Sequence, residues 1–359
     1  MNAMTRRIII GTAAVSMALT MAACGKAGDK GSDNKDKSIG LLLPENATTR
    51  YEKFDRPLIE AKIKELCPDC EIHYDNAAAD PAKQAQQVNS MITKGVKVLI
   101  LDAQDSVGIK SSVESAVAKG IKVVAYDRLA QGPISAYVSY DNEKVGELQG
   151  QALLDAMGSK ATPQSKIVMI NGDPGDPNAA QFKAGAHKIL DGKVDIAYEQ
   201  TGQWKDTVAN QKVTAAITQL GKDNIAGVYS ANDGMAGGIA TALKGAGINP
   251  PLTGQDAELA GLQRILVGTQ TSTIYKAYKP EADAAAEIAV ALLEGKDFKS
   301  IADTTATSGS GDSVPAKLLA AVSVTKANIK DTVVKDGLFA PAQLCAGEFA
   351  QACKDAGIQ

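Results

Sequence analysis

Short apolar runs that end abruptly in polar clusters recur along this chain, and no other feature restricts its fold as much. Val96 to Leu101 gives way to Gln104-Asp105, and Ile121 to Tyr126 gives way to Asp127-Arg128. The run from Lys166 to Gly172 meets Asp173 and then Asp176-Pro177-Asn178. Val194 to Gln203 meets Trp204, Gly227 to Ala231 meets Asn232-Asp233, and Leu252 to Gln255 meets Asp256. Between these runs lie segments with helical spacing, such as Leu58, Ile59, Ile63 and Leu66, or Val88, Met91 and Ile92. This alternation predicts an open, mostly parallel α/β sheet. Such sheets bind ligands beyond the carboxyl ends of their strands, which is where this chain collects Asp, Asn, Arg and Trp.

The alternation runs twice. Ile39 to Tyr126 reads as one β-α-β-α-β series. Lys166 to Leu252 reads as a second, with helices expected over Asn178 to Leu190, Val208 to Leu220 and Gly234 to Gly245. Two similar units in 359 residues imply two lobes. Asp80-Pro81 marks a helix start and Gly95 its end. Ala282 to Leu293 is a further helix, and Leu319 to Val324 a last strand-like run. Aromatic residues make up only 4% of the chain, so the core must come from Ala, Val, Ile and Leu. The net charge of −3 argues against a nucleic-acid partner, which calls for a basic patch.

The amino terminus belongs to export and not to the fold. Arg6-Arg7 precede an apolar stretch, Ile8 to Ala18, which is too short for the roughly 20 residues of a spanning helix. Met21-Ala22-Ala23-Cys24 then has the form of a lipobox. Residues 1–23 are therefore expected to be a lipoprotein signal peptide, with Cys24 as the lipidated first residue. A plain secretory signal is the competing reading. Residues 24–37, polar and Gly-rich, read as a flexible tether. Four cysteines remain: Cys67, Cys70, Cys345 and Cys353. In an exported chain they suggest two disulfides, with three pairings open. The local pairs Cys67–Cys70 and Cys345–Cys353 are favoured. A single Cys67-x-x-Cys70, with His73 and His187 not at ligand spacing, leaves no metal site to expect.

Several segments together carry a family resemblance. They are Ala125 to Arg128 (AYDR), Val138 to Gly146 (VSYDNEKVG), Ser230 to Asp233 (SAND), Leu252 to Gly261 (LTGQDAELAG), Val267 to Lys276 (VGTQTSTIYK) and Ile329 to Gly337 (IKDTVVKDG). In this order they resemble the ribose/galactose-type periplasmic binding proteins of ATP-driven (ABC) sugar importers, and among them the xylose-binding cluster. The resemblance covers about Ile39 to Gly337. It implies a type I fold: two Rossmann-like lobes with parallel sheets, joined by a three-strand hinge, with sugar between them. The amino-terminal lobe would take residues 38–139 and 275–303, and the carboxyl-terminal lobe residues 140–274 and 304–359.

The resemblance also implies roles. Arg50 and Tyr51 match an Arg followed by an aromatic, usually Trp, so Tyr51 is a departure that keeps a smaller stacking face. Asp127 and Arg128 match a charged pair that holds ring hydroxyls. Asp176 and Asn178 match a polar loop at a helix start, and Trp204 matches a second stacking aromatic. Asn232, Asp256 and Lys276 match the remaining polar ligands. The chemistry is sound on its own terms, because carboxylates accept from and guanidinium donates to vicinal hydroxyls, while an aromatic face covers the C–H side. Plainer roles stay open: core for Trp204, a surface ion pair for Asp127-Arg128, a helix cap for Asp176, and a solvated hinge for Lys276. Asn142 and Glu143 read as hinge and helix-start residues.

The expectation is thus a monomeric, lipid-anchored receptor on the outer face of the cytoplasmic membrane. It would bind a monosaccharide, with xylose as the expected ligand, and pass it to the permease without a cofactor. Glucose, galactose, arabinose and ribose are the alternative ligands. An enzyme using Asp127, Asp176 or Asp256 as acid and base is the rival class, but no nucleophile motif or phosphate loop supports it. A sugar-responsive repressor shares this fold. It would need a DNA-reading helix-turn-helix where this chain has its signal and tether.

Overall fold

The computed structural model describes residues 37–309 and 311–358. The signal peptide, Cys24 and all of the tether except Lys37 lie outside the described residues.

The first series runs β1 (Ser38–Leu43), α1 (Arg56–Leu66), β2 (Glu71–Asn76), α2 (Pro81–Lys94), β3 (Val98–Leu101), α3 (Lys110–Ala118), β4 (Lys122–Tyr126) and β5 (Ala136–Tyr140). The second runs α4 (Asn142–Met157), β6 (Lys166–Asn171), α5 (Pro177–Leu190), β7 (Asp195–Thr201), α6 (Asp206–Leu220), β8 (Ile225–Ser230), α7 (Asp233–Gly245), α8 (Leu259–Val267) and β9 (Thr273–Tyr275). Then come α9 (Tyr278–Glu294), β10 (Thr304–Thr307), β11 (Ser313–Leu319), β12 (Val322–Val324), α10 (Pro341–Leu344) and α11 (Ala350–Asp355).

Local chemistry explains the boundaries. Asp80 caps α2 by accepting from the Ala82 and Lys83 amides, and Gly95 ends it in the left-handed conformation at φ 76°. Strand β1 is buried on both faces, as a parallel central strand should be. Ile39, Leu41 and Leu43 pack with Val98, Ile100 and Val124 under α1 and α9. Leu42 packs on the other face with Leu99, Val123 and the α2 residues Val88 and Met91.

The strands form a seven-stranded sheet in the order β10-β11-β5-β4-β3-β1-β2 and a three-stranded sheet in the order β7-β6-β8. Every pairing in both is parallel except β10 with β11. Order reverses at β1, with β2 on one side and β3 on the other, so a crevice opens beyond their carboxyl ends. The α/β class with mostly parallel sheets is therefore established.

Three elements differ from expectation. Strand β2 carries Ile72 and Tyr74 alternating with Glu71, His73 and Asp75, so it presents no apolar run. The hairpin of β10 and β11 joins the first sheet through β5, whereas residues 304–319 were expected with the second lobe. The run from Leu319 to Val324 is broken: β11 ends at Leu319, and β12 pairs antiparallel with β9.

Between the two sheets the chain crosses three times, after β5, after β9 and after β11. The crossings are tied together. Tyr140 Oη donates to the Ala277 carbonyl at 2.6 Å, and the Asp141 amide donates to the Leu319 carbonyl at 3.2 Å.

Candidate functional site

Each expected ligand residue follows the carboxyl end of a strand, and the structure brings all ten to one cavity. Arg50 and Tyr51 come from the loop after β1, and Asp127 and Arg128 follow β4. Asp176 and Asn178 open α5, Trp204 follows β7, and Asn232 follows β8. Asp256 follows the short parallel bridge at Leu252, and Lys276 follows β9. Thr48, Phe182 and Gln255 complete the wall of this small cavity.

Charge on the wall is arranged in pairs. Arg50 is fully enclosed: Nε and Nη2 donate to Asp55 at 2.7 and 3.1 Å, Nη2 to Glu281 at 2.6 Å and Nη1 to Asp127 at 3.0 Å. Most of its fork is thus spent inside the protein, fixing Asp127 at the cavity wall. Burial alone would lower the Arg50 guanidinium, but Asp127, Asp55 and Glu281 hold it above its ordinary value. Burial works against the Asp127 carboxylate too. Arg50, Lys276 and Arg128, with a hydrogen bond from Tyr51, still bring its carboxyl below the usual range. Glu281, buried beside Asp127 and Asp55 and only partly relieved by Arg50, is pushed up to about 8.

Arg128 is the second enclosed cation. Nη2 donates to Tyr51 Oη at 3.1 Å and Nη1 to the Ala103 carbonyl at 3.3 Å. Its Nε stands 3.0 Å from Asp176 Oδ2, an ion pair that lies off the N–H axis. Asp176 is shared: Oδ1 accepts from the Asn178 amide at 2.8 Å and caps α5, while Oδ2 accepts from Trp204 Nε1 at 3.2 Å. Burial lifts its carboxyl to about 6 against the pull of Arg128. The third pair is Lys276 with Asp256, at 3.0 Å.

The plainer roles are partly true as well. Asp176 is both cap and cavity wall. Trp204 belongs to the second sheet's core and also lines the cavity, and its ring packs edge-on to Phe182 at 6.4 Å. Gly172 lies against that ring so closely that any Cβ would overlap it. Asp127–Arg128 is no surface pair, and Lys276 is buried beside the Tyr140 and Phe182 rings. Asn142, expected as a helix-start residue, begins α4 and also donates to Asn178 Oδ1 at 3.0 Å.

The backbone is strained at this wall. Asp127, Trp204 and Asp256 have φ of 53°, 58° and 89°, in the left-handed region that non-glycine residues avoid. Each such residue costs on the order of 1–2 kcal/mol. Local bonds hold them there. The Asp127 carbonyl accepts from Tyr137 Oη, Ser139 Oγ and Asn178 Nδ2, and the Asp256 carbonyl accepts from Tyr278 Oη.

Sequence reasoning missed Thr48, Phe182 and Gln255, although the last two had a signal. Phe182 lies one helical turn beyond Asn178 on α5, and Gln255 adjoins Asp256. The partners Asp55 and Glu281 had none, since Glu281 reaches Arg50 across 231 residues. The four cysteines lie in the two local pairs. Cys67 faces Cys70 and Cys345 faces Cys353, at Cα separations of 5.3 and 5.7 Å that suit disulfides.

Residues 39–297 match the model of the periplasmic binding protein domain family. The chain is 38% identical to the D-xylose-binding periplasmic protein of Escherichia coli K12, over 86% of this chain and 93% of that one. It is 31% identical to the multiple sugar-binding periplasmic receptor of Rhizobium radiobacter, over 94% and 99%. Among solved structures, an ABC transporter solute-binding protein of Clostridium phytofermentans with bound β-D-glucose superposes with a TM-score of 0.77. That pair is 26% identical, covering 86% of this chain and all of the other.

Proposed function

We propose that this protein, which belongs to the periplasmic binding protein family, captures a monosaccharide outside the cytoplasm and delivers it unchanged to the permease of an ATP-driven importer. D-xylose is the proposed ligand, on the strength of 38% identity to a D-xylose-binding protein. A broader aldose receptor is the second reading, favoured by the glucose-bound and multiple-sugar relatives.

One observation carries the proposal. Three carboxylate–cation pairs, Asp127 with Arg50, Asp176 with Arg128 and Asp256 with Lys276, surround a cavity that also carries the Trp204, Phe182 and Tyr51 rings. Charge-assisted donors and acceptors meet ring hydroxyls, and aromatic faces meet C–H groups. Tying each carboxylate to a cation suits holding a ligand better than moving protons to and from it.

In this reading Arg50 acts mainly by orienting Asp127. Tyr51, Asp127, Arg128, Asp176, Asn178, Trp204, Asn232, Asp256 and Lys276 touch the sugar. The lobes follow the sheets: residues 38–139 with 275–303 and the β10–β11 hairpin make one, and residues 140–274 with the remaining tail make the other. Disulfides close the two local cysteine pairs, and lipid on Cys24 tethers a monomeric receptor to the membrane.

The deciding experiment is a thermal-shift panel of xylose, glucose, galactose, arabinose and ribose, followed by recovery of the sugar. A true ligand at about 100 times its dissociation constant stabilises the fold by about 2.7 kcal/mol and returns unaltered. No shift with any of the five overturns the proposal, and a chemically altered sugar assigns an enzyme instead.

A further inference from the structure

Gln255 is 2% exposed, lines the cavity, and is held by rigid main chain. Its own carbonyl accepts from the Asp233 amide at 2.9 Å. The next residue's amide donates to the Ile274 carbonyl at 2.8 Å, and the Ile274 amide returns to the Gly254 carbonyl at 3.2 Å. The side-chain amide is turned by its neighbour. Nε2 faces Asp256 Oδ1 at 3.5 Å, and a carbonyl oxygen placed there would meet a carboxylate oxygen instead. Oε1 therefore takes the other side. It is buried, with no hydrogen-bond partner among the described residues.

Several other acceptors on this wall already have donors. Asp127 has Arg50 and Tyr51, Asp176 has Trp204 and the Asn178 amide, Asn178 Oδ1 has Asn142, and Asn232 Oδ1 has the Met235 amide. Buried carbonyls in folded proteins are almost always matched with a donor. Gln255 belongs to the cavity wall, and a bound ligand can supply the donor that its oxygen lacks.

We propose that Gln255 is a specificity-determining residue: its Oε1 accepts a hydrogen bond from one particular hydroxyl of the bound sugar. The inference rests on the sugar-binding reading and deepens it. Sites built to bond a hydroxyl reject analogues lacking it far more strongly than apolar pockets reject a missing methylene. Gln255 thus discriminates by hydroxyl position.

The test is calorimetric titration of wild type and Gln255→Met with the tightest-binding sugar of the five and with each of its monodeoxy analogues. Wild type should bind the parent more than 10-fold tighter than one particular deoxy analogue. Gln255→Met should bind the parent more than 10-fold more weakly than wild type does, and bind that one analogue about as well as the parent. Uniform weakening across the whole series would make Gln255 a support for Asp256 and overturn the inference, as would unchanged binding. Wild type that binds no sugar removes the sugar reading and this inference together. Should Gln255→Met melt early, Gln255→Asn keeps an amide but withdraws its oxygen, and it should lose the same discrimination.

Discussion

At the scale of single residues, the site separates side chains that hold the protein together from side chains free to meet a ligand. Arg50 is of the first kind. Arg50→Ala would leave Asp55, Asp127 and Glu281 crowded without their cation, at a cost of about 3–5 kcal/mol. Urea denaturation should register that loss even without ligand. Arg128→Ala, besides freeing Asp176, should weaken binding of the best sugar more than 10-fold in calorimetry, since a lost charge-assisted bond costs about 1.5–3 kcal/mol. Equal affinity in that variant would remove Arg128 from the site.

Glu258 supplies a pH prediction. Burial, with Asp233 and Asp256 nearby, raises its carboxyl to about 8, while the Thr49 amide donates to it at 3.3 Å. The folded protein therefore holds this proton more tightly than the unfolded chain does. Stability from it is complete below the ordinary glutamate range and falls as pH rises toward 8. Wild type should lose thermal midpoint between pH 6 and pH 9 by more than Glu258→Gln does. Parallel curves would show that Glu258 titrates normally. Asp127, Arg128, Asp176, Asn178, Trp204, Asn232 and Asp256 were legible because each stands just past an apolar run, whereas Arg50, Tyr51 and Lys276 rested on the family resemblance. Glu258, Asp233 and Glu281 were not, because their environment arises only from distant segments packed together.

At the scale of elements, α4 and α5 lie unusually close. Gly146 faces the Phe182 carbonyl and Gly185 faces the Glu143 carbonyl, so a Cβ at either position would collide with main chain of the facing helix. Since α5 carries Asn178 and Phe182 into the cavity, this contact also sets the position of one wall. Gly146→Ala should cost about 1–3 kcal/mol as overpacking and should also lower sugar affinity. A variant that loses stability but keeps its affinity would mean that the helices spread without moving the cavity. Helices were the easiest elements to read, because Asp80, Pro81 and Gly95 mark α2 chemically. Strand β2 was hidden by its alternating polar residues, and the β10–β11 hairpin by its threonines and polar turn. For both, it is a sheet neighbour and not an apolar run that makes the strand.

At the scale of the whole molecule, the contacts that join the loops of the first sheet to those of the second include the Ser106 amide to the Gly175 carbonyl at 3.1 Å, Thr49 to Glu258, Asn178 Nδ2 to the Asp127 carbonyl at 3.1 Å and Arg128 to Asp176 at 3.0 Å. With the sheets joined by three tied crossings, opening should be a bend about those crossings. Sugar should reduce the radius of gyration in small-angle scattering, and a radius that stays constant on saturation would exclude such closure. Cys24→Ala should move the protein from the membrane fraction to the soluble fraction without altering affinity. If the variant stays with the membrane, Cys24 is not the anchor.

The three crossings bear on how the polypeptide emerges during synthesis. The first sheet waits for α9, whose alanine-rich face covers Ile39, Ile100 and Val124, and for β11, which seals the flank of β5. Both are made only after the whole second sheet. At ordinary translation speeds the delay is on the order of ten seconds. Throughout it β5 presents a bare strand edge, the kind of surface that recruits other chains. Export of the finished polypeptide in an unfolded state would spare it that interval, whereas a polypeptide kept in the crowded cytoplasm would meet it there.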